Sequence, residues 1–463
     1  MSRFMNRFTN KAWLLVACAA FSSAISASAT ELTLAQALRE ALDRNSGYNA
    51  TRSDVRLASA TRDSAWGGYL PMVTSNADYA KSWLNTYEAA RMGANGNPPQ
   101  PALSEAGLPS SERTAGINAD WTLFSGFSTP LTQKRLRLLF EQAKDNEQLA
   151  REDLVSSVVL AYADLARQNR IYYALDTSAQ ISLERMRIVE QNLAVGAASH
   201  SDWLSEKVDL NADLAALQQQ KATLQAARAV LGQVLGRNAP VTEDVDSVVV
   251  SDASIDLDAL LQGLPEHRPD LKLAQSTTDL AKVGAEQRAT SWLPRLDAIA
   301  GYNFDKTYSG ADPDFYQPPV ARTLGPNVGL QLNFNIFTGD FPWAAYHRAK
   351  IALTSAELRQ KEAYTEAVAE VREDHASYQA ADSSLVLERE AEGYSLENLG
   401  LTFLRWKSGS ISYLDARTAQ VQFLTTFTST ENTAFNALSE RLELLLSAGQ
   451  LESLVDSTVT PTH

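Results

Sequence analysis

Apolar and polar residues alternate in four segments of the chain, and strict alternation is typical of a β-strand whose two faces meet different surroundings. The clearest segment has Gly, Gln and Asn between five apolar residues: Val328, Leu330, Leu332, Phe334 and Ile336. Weaker versions of the pattern begin near Val73, Ile117 and Leu296. Segments of about ten alternating residues, with aromatic side chains near their ends, are typical of outer-membrane β-barrels. We therefore predict that the five apolar residues of the last segment face lipid.

The predicted strands form two pairs, at about residues 71–124 and 295–337. Between the paired strands, Leu84–Arg113 is long and rich in Gly, Pro and Asn, and Ser309–Thr323 is shorter, so both are expected to be exposed loops of membrane hairpins. Four strands are too few to close a membrane barrel, for which about eight is the minimum. The pattern therefore predicts a barrel shared between subunits, with eight strands in a dimer or twelve in a trimer.

A helical period follows each strand pair. Residues 131–195 contain neither Gly nor Pro, and their apolar positions step by four and three residues along a seam that also includes Gln168 and Ser182. This heptad pattern predicts a helix over 130–195 that is about 100 Å long and packs on several neighbours. The second half of the chain predicts a matching helix over 343–408.

Each long helix is expected to end at a short turn that leads into a second helix. These second helices are predicted at 203–235 and 416–447, with Asp202 and Asp415 as their N-caps. Helices of such length are unusual in a compact domain. Taken alone, they also fit a secreted coiled-coil scaffold or adhesin without a pore.

The chain is internally duplicated. Phe124-Ser125-Gly126 returns 213 residues later as Phe337-Thr338-Gly339, and the set Gly196, Ser199 and Asp202 returns at the same shift as Gly409, Ser412 and Asp415. This period is far longer than the roughly 20–50 residues of a solenoid repeat. It predicts five parts: a signal peptide at 1–29, a first structural repeat at 30–237, an equatorial linker at 238–264, a second structural repeat at 265–450 and a tail at 451–463.

The N-terminal segment has the features of a secretory signal peptide. Arg3, Arg7 and Lys11 precede an apolar stretch, and Ala27-Ser28-Ala29 forms a small-residue cleavage site. The residues that end at Cys18 also resemble a bacterial lipoprotein cleavage box, so lipidation of Cys18 stays open as an alternative. No later segment has about 18 consecutive apolar residues, so no transmembrane helix is expected.

Charge and chemistry narrow the possible functions. Removing the three basic residues of the signal leaves 38 of the 41 Lys and Arg against 55 Asp and Glu, which takes the net charge from −14 to −17. This argues against nucleic acid and anionic lipid as partners. The five histidines are scattered, and Ser125-Gly126 lacks the Gly-x-Ser-x-Gly pattern of a hydrolase. No enzymatic activity, cofactor or metal site is predicted.

Four short motifs together resemble the TolC family of outer-membrane channel proteins. They are Leu32-Thr33-Leu34-Ala35-Gln36-Ala37-Leu38, Leu70-Pro71, Leu123-Phe124-Ser125-Gly126 and Arg268-Pro269-Asp270-Leu271. Their order and their repetition at a fixed shift make the resemblance specific over almost the whole mature chain. One departure is Asn45-Ser46, where the family's first repeat often has Asn-Pro. The alternating strands agree with this resemblance, since a scaffold has no reason to place Leu330 and Leu332 against lipid.

The resemblance implies an α+β membrane protein in the outer membrane with a large periplasmic portion. Three chains would form a homotrimer with a shared twelve-stranded barrel, continued by a long α-helical periplasmic barrel. It also implies a periplasmic adaptor and an inner-membrane transporter as partners, in drug or metal efflux or in type I secretion of protein. No residue identifies the cargo.

The resemblance further assigns roles to the two turns, which would lie at the periplasmic mouth. A gate there would include four residues: Asp202, Trp406, Ile411 and Asp415. Ile411 stands where family members have Arg, and Thr418 where they have a second Asp, so an apolar constriction surrounded by carboxylates is expected. An alternative is that both Asp residues only cap helices. The adaptor-docking tips would be Val195, Gly196, Ala197 and Ser199 in the first turn, and Gly409 and Ser412 in the second.

Overall fold

The computed structural model describes residues 31–88, 103–245, 255–309, 320–337, 339 and 341–451. The predicted signal peptide with Cys18, residues 246–254 of the predicted linker and residues 452–463 of the predicted tail lie outside this description. The described chain combines long helices with one four-stranded sheet. The predicted α+β class is confirmed at this level.

The two halves of the chain have the same order of elements. The first half contains α1 (Leu34–Arg44), α2 (Ser46–Ser64), a 3-10 turn (Ala65–Tyr69), β1 (Met72–Glu88), β2 (Leu103–Phe124), α3 (Ser128–Ala194) and α4 (His200–Val234). The second half contains α5 (Leu257–His267), α6 (Pro269–Ala289), a 3-10 turn (Thr290–Trp292), β3 (Arg295–Ser309), β4 (Val320–Asn333), α7 (Phe341–Lys407) and α8 (Tyr413–Ser447). Both long helices have 67 residues, and both helices that follow them have 35.

The strands begin and end at residues other than those that the sequence pattern indicated. β1 continues to Glu88 and β2 begins at Leu103, so both extend into the segment that was expected to be a loop. The composition of this segment is typical of a turn, but its residues pair across the strands all the same; Pro109, for example, lies opposite Trp83. β4 ends at Asn333, because its partner strand begins at Arg295, the residue opposite it. Consequently Val328, Leu330 and Leu332 lie in β4, whereas Phe334 and Ile336 follow it.

The chain divides into two compact units, which do not coincide with the two halves. The first unit comprises Met1–Asp54, Lys144–Leu273 and Lys361–His463, and the second comprises Val55–Ala143 and Ala274–Gln360. The main core of the first unit is helical and includes Val158 and Leu165 of the α3 seam together with Leu231 of α4 and Leu442 of α8.

The N-terminal segment is fastened to this core. The side chain of Leu38 is buried in it, and the hydroxyl of the buried Tyr162 donates a hydrogen bond to the carbonyl of Leu32 at 2.7 Å. Leu32 also forms a parallel β-bridge with Val245. A buried tyrosine needs a partner for its hydroxyl, and this backbone carbonyl supplies one.

The second unit contains the sheet, whose strands are antiparallel in the order β1-β2-β3-β4. Its register aligns residues of like polarity across the strands: Val328 lies opposite Ala300, which lies opposite Ala119, which lies opposite Val73. We call the side that carries these four residues the apolar face and the other side the polar face. On the apolar face, Val328, Leu330 and Leu332 are exposed, at 84%, 71% and 65%.

The polar face carries a row of hydrogen-bonded asparagines, one from each strand. Asn118 donates to Asn76 at 3.2 Å, and Asn303 donates to Asn118 at 3.2 Å and to Asn327 at 3.0 Å. Glycines opposite them leave the space that the amides occupy. A Cβ on Gly301 would lie 2.5 Å from Asn118 Oδ1 and 2.7 Å from Asn327 Oδ1, closer than any normal contact.

We predict that Gly301→Ala destabilises the sheet by roughly 1–3 kcal/mol, because the new methyl group must displace amides that hold the asparagine row. The measurement is the midpoint of thermal unfolding of the purified protein, which should fall by several degrees. Gly325→Ala is the matched control, since a Cβ at Gly325 meets no atom within 4 Å. Equal midpoints for the two variants would contradict a packing role for Gly301.

Candidate functional site

The two turns that connect the long helices to the helices after them have the same backbone geometry. Gly196 and Gly409 have φ of +75° and +73°, the left-handed conformation that glycine adopts without steric cost. In the first turn, the amide of Ala197 donates to the carbonyl of Asn192 at 2.7 Å and that of Gly196 donates to Leu193 at 3.1 Å. The second turn has the equivalent pair of bonds. Both long helices therefore end in a Schellman motif.

The helices after the turns begin with capping boxes, which corrects the predicted N-caps. Ser199 and Ser412 are the N-caps, and Asp202 and Asp415 occupy the third helical position. The Ser199 hydroxyl accepts from the amide of Asp202 at 3.1 Å, and the carboxylate of Asp202 accepts from the amide of Ser199 at 3.0 Å. The helices begin earlier than predicted because this reciprocal pair satisfies amides that the Asp side chain alone would leave free.

The same contacts set the charge of the first carboxylate. Hydrogen bonds from the hydroxyl and the backbone amide of Ser199 lower the pKa of Asp202 below its ordinary value. Asp202 therefore stays ionised at neutral pH, next to a helix N-terminus that favours negative charge.

The other predicted gate residues lie around the second turn. Trp406 is in the last turn of α7, half-buried, with its ring 5.7 Å from that of Phe403. Ile411 is half-buried in the turn itself, and the hydroxyl of Thr418 donates to the carbonyl of Leu414 on α8. Within the described residues, each Asp is brought together with the Ser of its own turn. Its hydrogen bonds do not extend to the other turn.

The predicted docking residues form exposed surface. Val195 is 77% exposed, and its neighbours Gly196, Ala197 and Ser199 are exposed as well. Gly409 and Ser412 are exposed in the second turn. A Cβ on Gly196 or Gly409 would meet no atom within 4 Å, so the positive φ, and not close packing, requires glycine there.

Sequence reasoning missed a group of buried and half-buried ionic residues on the helices that flank the turns. We call this group the buried charge cluster; it consists of Arg185 on α3, Glu206, Asp209 and Asp213 on α4, and Arg417 on α8. Arg417 makes a bidentate bond to Asp213, with N–O distances of 2.7 and 2.9 Å, and its Nε lies 3.6 Å from Asp209. Arg185 Nη2 lies 3.4 Å from Glu206 Oε2.

Uncharged polar side chains add further hydrogen bonds between α3, α4 and α8 next to the buried charge cluster. The hydroxyl of Ser182 donates to Asp213, and the amide of Gln420 on α8 donates to Ser182 at 3.1 Å and to the carbonyl of Ser178 at 3.0 Å. Ser182 lies on the heptad seam that the sequence pattern identified, so a polar residue on an apolar seam was the signal for this cluster. Its ionic partners could not be found from the pattern, because they lie on other helices.

Two members of the buried charge cluster have buried polar atoms that lack a hydrogen-bond partner among the described residues. Arg185 and Glu206 expose at most 1% of their side chains, and among the described residues both oxygens of Glu206 lack a hydrogen bond, as do two nitrogens of Arg185. Burial raises the pKa of Glu206 above its ordinary value and lowers that of Arg185. Desolvation thus offsets much of the attraction between the two charges.

The described residues offer neither a metal site nor a membrane-crossing helix. No group of three or more His, Cys, Asp and Glu there could hold a metal ion. None of the described helices combines the length and apolar character that crossing a membrane requires.

Comparison with known proteins gives two sequence matches to outer membrane efflux proteins. Residues 260–450 match the family model described as outer membrane efflux protein. The outer membrane efflux protein BepC of Brucella suis is 22% identical over 331 residues, which cover 70% of this chain and 65% of BepC, just under two thirds of that relative's length.

Solved structures have the same fold. The outer membrane protein VceC from Vibrio cholerae has a TM-score of 0.68 at 17% identity, over 90% of this chain and 96% of VceC. The outer membrane channel CmeC from Campylobacter jejuni has a TM-score of 0.70 at 15% identity, over 92% of this chain and 89% of CmeC. The open-state MtrE channel from Neisseria gonorrhoeae has a TM-score of 0.65 at 16% identity, over 90% of this chain and 89% of MtrE.

These findings confirm the resemblance that the sequence motifs predicted. At such low identity the solved structures show the fold alone, and the family model and the curated relative add the sequence match. The predicted location in the outer membrane is confirmed with it.

The buried charge cluster leads to a test of local stability. We predict that Arg417→Gln weakens the packing of α4 and α8 by roughly 3 kcal/mol, because it leaves Asp213 buried without its bidentate partner. Hydrogen exchange in residues 206–217 should then be on the order of 100-fold faster, if the amides exchange through local opening.

Arg405→Gln is the matched control, since Arg405 is exposed near the same turn. The double variant Arg417→Leu/Asp213→Leu should recover part of the lost protection, because replacing both charges removes the unpaired carboxylate. If Arg417→Gln and Arg405→Gln exchanged alike, the cluster would have no role in holding these helices together.

Proposed function

With the resemblance to TolC-family outer-membrane efflux proteins as the premise, we propose that three copies of this chain form an exit duct across the periplasm and the outer membrane. The duct receives its substrate from a periplasmic adaptor and an inner-membrane transporter, in efflux or in type I secretion. It performs no chemistry and needs no cofactor, since the transporter supplies the energy.

The observation that carries this proposal is the four-stranded sheet with two unpaired edges. Among the described residues, β1 pairs only with β2 and β4 pairs only with β3, which leaves edges of 17 and 14 residues. Backbone groups on such edges cannot stay unpaired in hydrocarbon. Pairing β1 of one copy with β4 of the next removes every edge, and three copies give a closed barrel of twelve strands, an even number within the known range.

The two faces of the sheet support the same arrangement. Leu324 and Leu332 on the apolar face are eight residues apart, about 27 Å along the strand and about 21 Å across a membrane at a tilt near 40°. This height is close to the roughly 25 Å apolar band of outer-membrane barrels. The asparagine row on the opposite face then lines a polar lumen.

Exposed aromatic residues mark where the apolar band ends near the helices. Trp66, Trp292 and Trp343 are 64%, 42% and 60% exposed. The indole N–H of Trp121 donates to the carbonyl of Tyr69 at 3.0 Å, which fastens the 3-10 turn to β2. Aromatic girdles of this kind lie at membrane interfaces. The alternative, a secreted coiled-coil scaffold without a pore, gives no reason for an exposed apolar sheet bordered by tryptophans.

The helices provide the periplasmic part of the proposed duct. At 1.5 Å per residue, each 67-residue helix is about 100 Å long. The two turns then form the periplasmic mouth, with Ile411 and Trp406 as an apolar constriction and Asp202 and Asp415 as a ring of carboxylates. Hydrophobic constrictions gate by dewetting, and carboxylate rings favour cations. The proposed contacts of the adaptor are six exposed residues of the turns: Val195, Gly196, Ala197, Ser199, Gly409 and Ser412.

The first prediction of this proposal concerns assembly. Native mass spectrometry of the detergent-extracted protein should give a trimer, because three four-stranded sheets close one barrel. The mass also reports whether the chain begins near Thr30 or at an acylated Cys18. A monomer or dimer that stays in solution without detergent would overturn the duct and favour the scaffold.

The second prediction concerns the mouth. Asp202→Asn/Asp415→Asn should lower the cation preference of the reconstituted channel about twofold or more, since it removes six carboxylates from a trimer. The measurement is the reversal potential in a salt gradient across a planar bilayer.

The capping role of these carboxylates requires its own control. Ser199→Ala/Ser412→Ala breaks both capping boxes, at a cost of about 1 kcal/mol for each helix, but keeps both carboxylates. Cation preference should survive in the serine variant. If both double variants lose it equally, the Asp residues act through helix capping and the gate role is wrong.

A further inference from the structure

Four basic residues of the sheet lie together on the apolar face. Arg113 on β2 lies opposite Lys306 on β3, which lies opposite Arg322 on β4. Tyr79 on β1 lies opposite Arg113, and Lys81 follows two positions later on the same face. We call these four residues, Lys81, Arg113, Lys306 and Arg322, the basic band. It crosses all four strands at the end that is remote from the helices.

Carboxylates are absent from this face among the side chains that the structure describes. The acidic strand residues whose side chains the structure describes have the opposite parity and lie on the polar face: Asp78, Glu112, Asp120, Asp297 and Asp305. Within the described residues, no member of the basic band forms an ion pair. The band is therefore a local concentration of positive charge on a chain whose mature net charge is −17.

The height of the basic band follows from the strand geometry. Leu332, at the helix end of the apolar face, and Arg322 are ten residues apart, about 34 Å along the strand. At a tilt near 40° this corresponds to about 26 Å across the membrane, the full height of the apolar band of such barrels. The basic band therefore lies at the far boundary of the hydrocarbon, where the headgroups of the outer leaflet begin.

Aromatic rings hold the cationic groups in this position. The guanidinium of Arg113 lies 5.5 Å from the ring centre of Tyr79, and that of Arg322 lies 5.4 Å from Phe304. The ammonium of Lys81 lies 5.3 Å from the ring of Trp83. Such contacts orient a cation without neutralising its charge, and the planar fork of arginine suits the oxygens of a phosphate group.

We propose that the basic band binds the phosphate groups of the phosphorylated glycolipid in the outer leaflet of the outer membrane. The proposal rests on the barrel described above, and each trimer would carry three such bands. The net charge of the mature chain argued against anionic lipid as a partner. Net charge, however, adds together surfaces that face lipid and surfaces that face water. Here the four residues of the basic band lie on the face proposed to meet lipid, and the described carboxylates of the sheet lie on the opposite face.

The test measures the affinity of the detergent-solubilised trimer for bisphosphorylated lipid A by native mass spectrometry. Each basic residue at a charged lipid surface contributes about fivefold, so Arg113→Gln/Arg322→Gln should bind about thirtyfold more weakly. Arg359→Gln/Lys361→Gln removes the same charge from the exposed surface of α7 and should bind as the unchanged protein does. Dephosphorylated lipid A should bind the unchanged protein weakly, a comparison that does not depend on any variant.

Equal affinity of the unchanged trimer for the two forms of lipid A would overturn the proposal. Full competition by millimolar inorganic phosphate would overturn it too, because the band would then be a simple anion site. Channel conductance, measured on the same preparations, separates the two claims. A conducting trimer without phosphate preference refutes the basic band alone, whereas a protein that forms no membrane-embedded trimer refutes the duct and the basic band together.

Discussion

Backbone hydrogen bonding at the edges of the sheet is the constraint on which the other features of this protein depend. An unpaired N–H or C=O group in hydrocarbon costs several kcal/mol, and the edges of β1 and β4 carry many of them. A chain with four strands can meet this constraint only by pairing with copies of itself. In the proposed barrel, assembly is then a condition of folding in the membrane, and the two faces of the sheet become outer wall and lumen only after assembly.

In the proposed duct the helices meet a different constraint, because they lie in the periplasm and pack against each other. Their seam includes polar residues, among them Ser182 and Gln420, which form hydrogen bonds between helices. The buried charge cluster extends this mode of packing at a cost in desolvation. We infer that directional contacts such as the pair Arg417–Asp213 favour one helix register, on which the proposed duct depends because its helices must stay aligned over about 100 Å.

The sequence predicted those features that repeat with a simple period. Alternation identified the apolar face of β4, and heptads identified the long helices, since both patterns record burial along one element. Three features were missed because they depend on pairing between elements or on local geometry. β4 ends where β3 begins, the charges of the cluster come from three helices, and the N-caps were assigned to Asp202 and Asp415 although Ser-x-x-Asp is itself a capping-box pattern. The capping boxes alone could have been predicted from the sequence.

The two turns that arose by duplication share their backbone conformation but differ in their side chains. Glycine, serine and aspartate recur at the same three positions in both, and they produce the same Schellman motif followed by the same capping box. The residues around them differ: the first turn has Val195 and Ala197 where the second has Ser408 and Ser410. In the proposed trimer, a partner at the mouth therefore meets six turns of one shape but two different chemical surfaces. Selectivity among adaptors can change through these side chains without any change in the backbone that presents them.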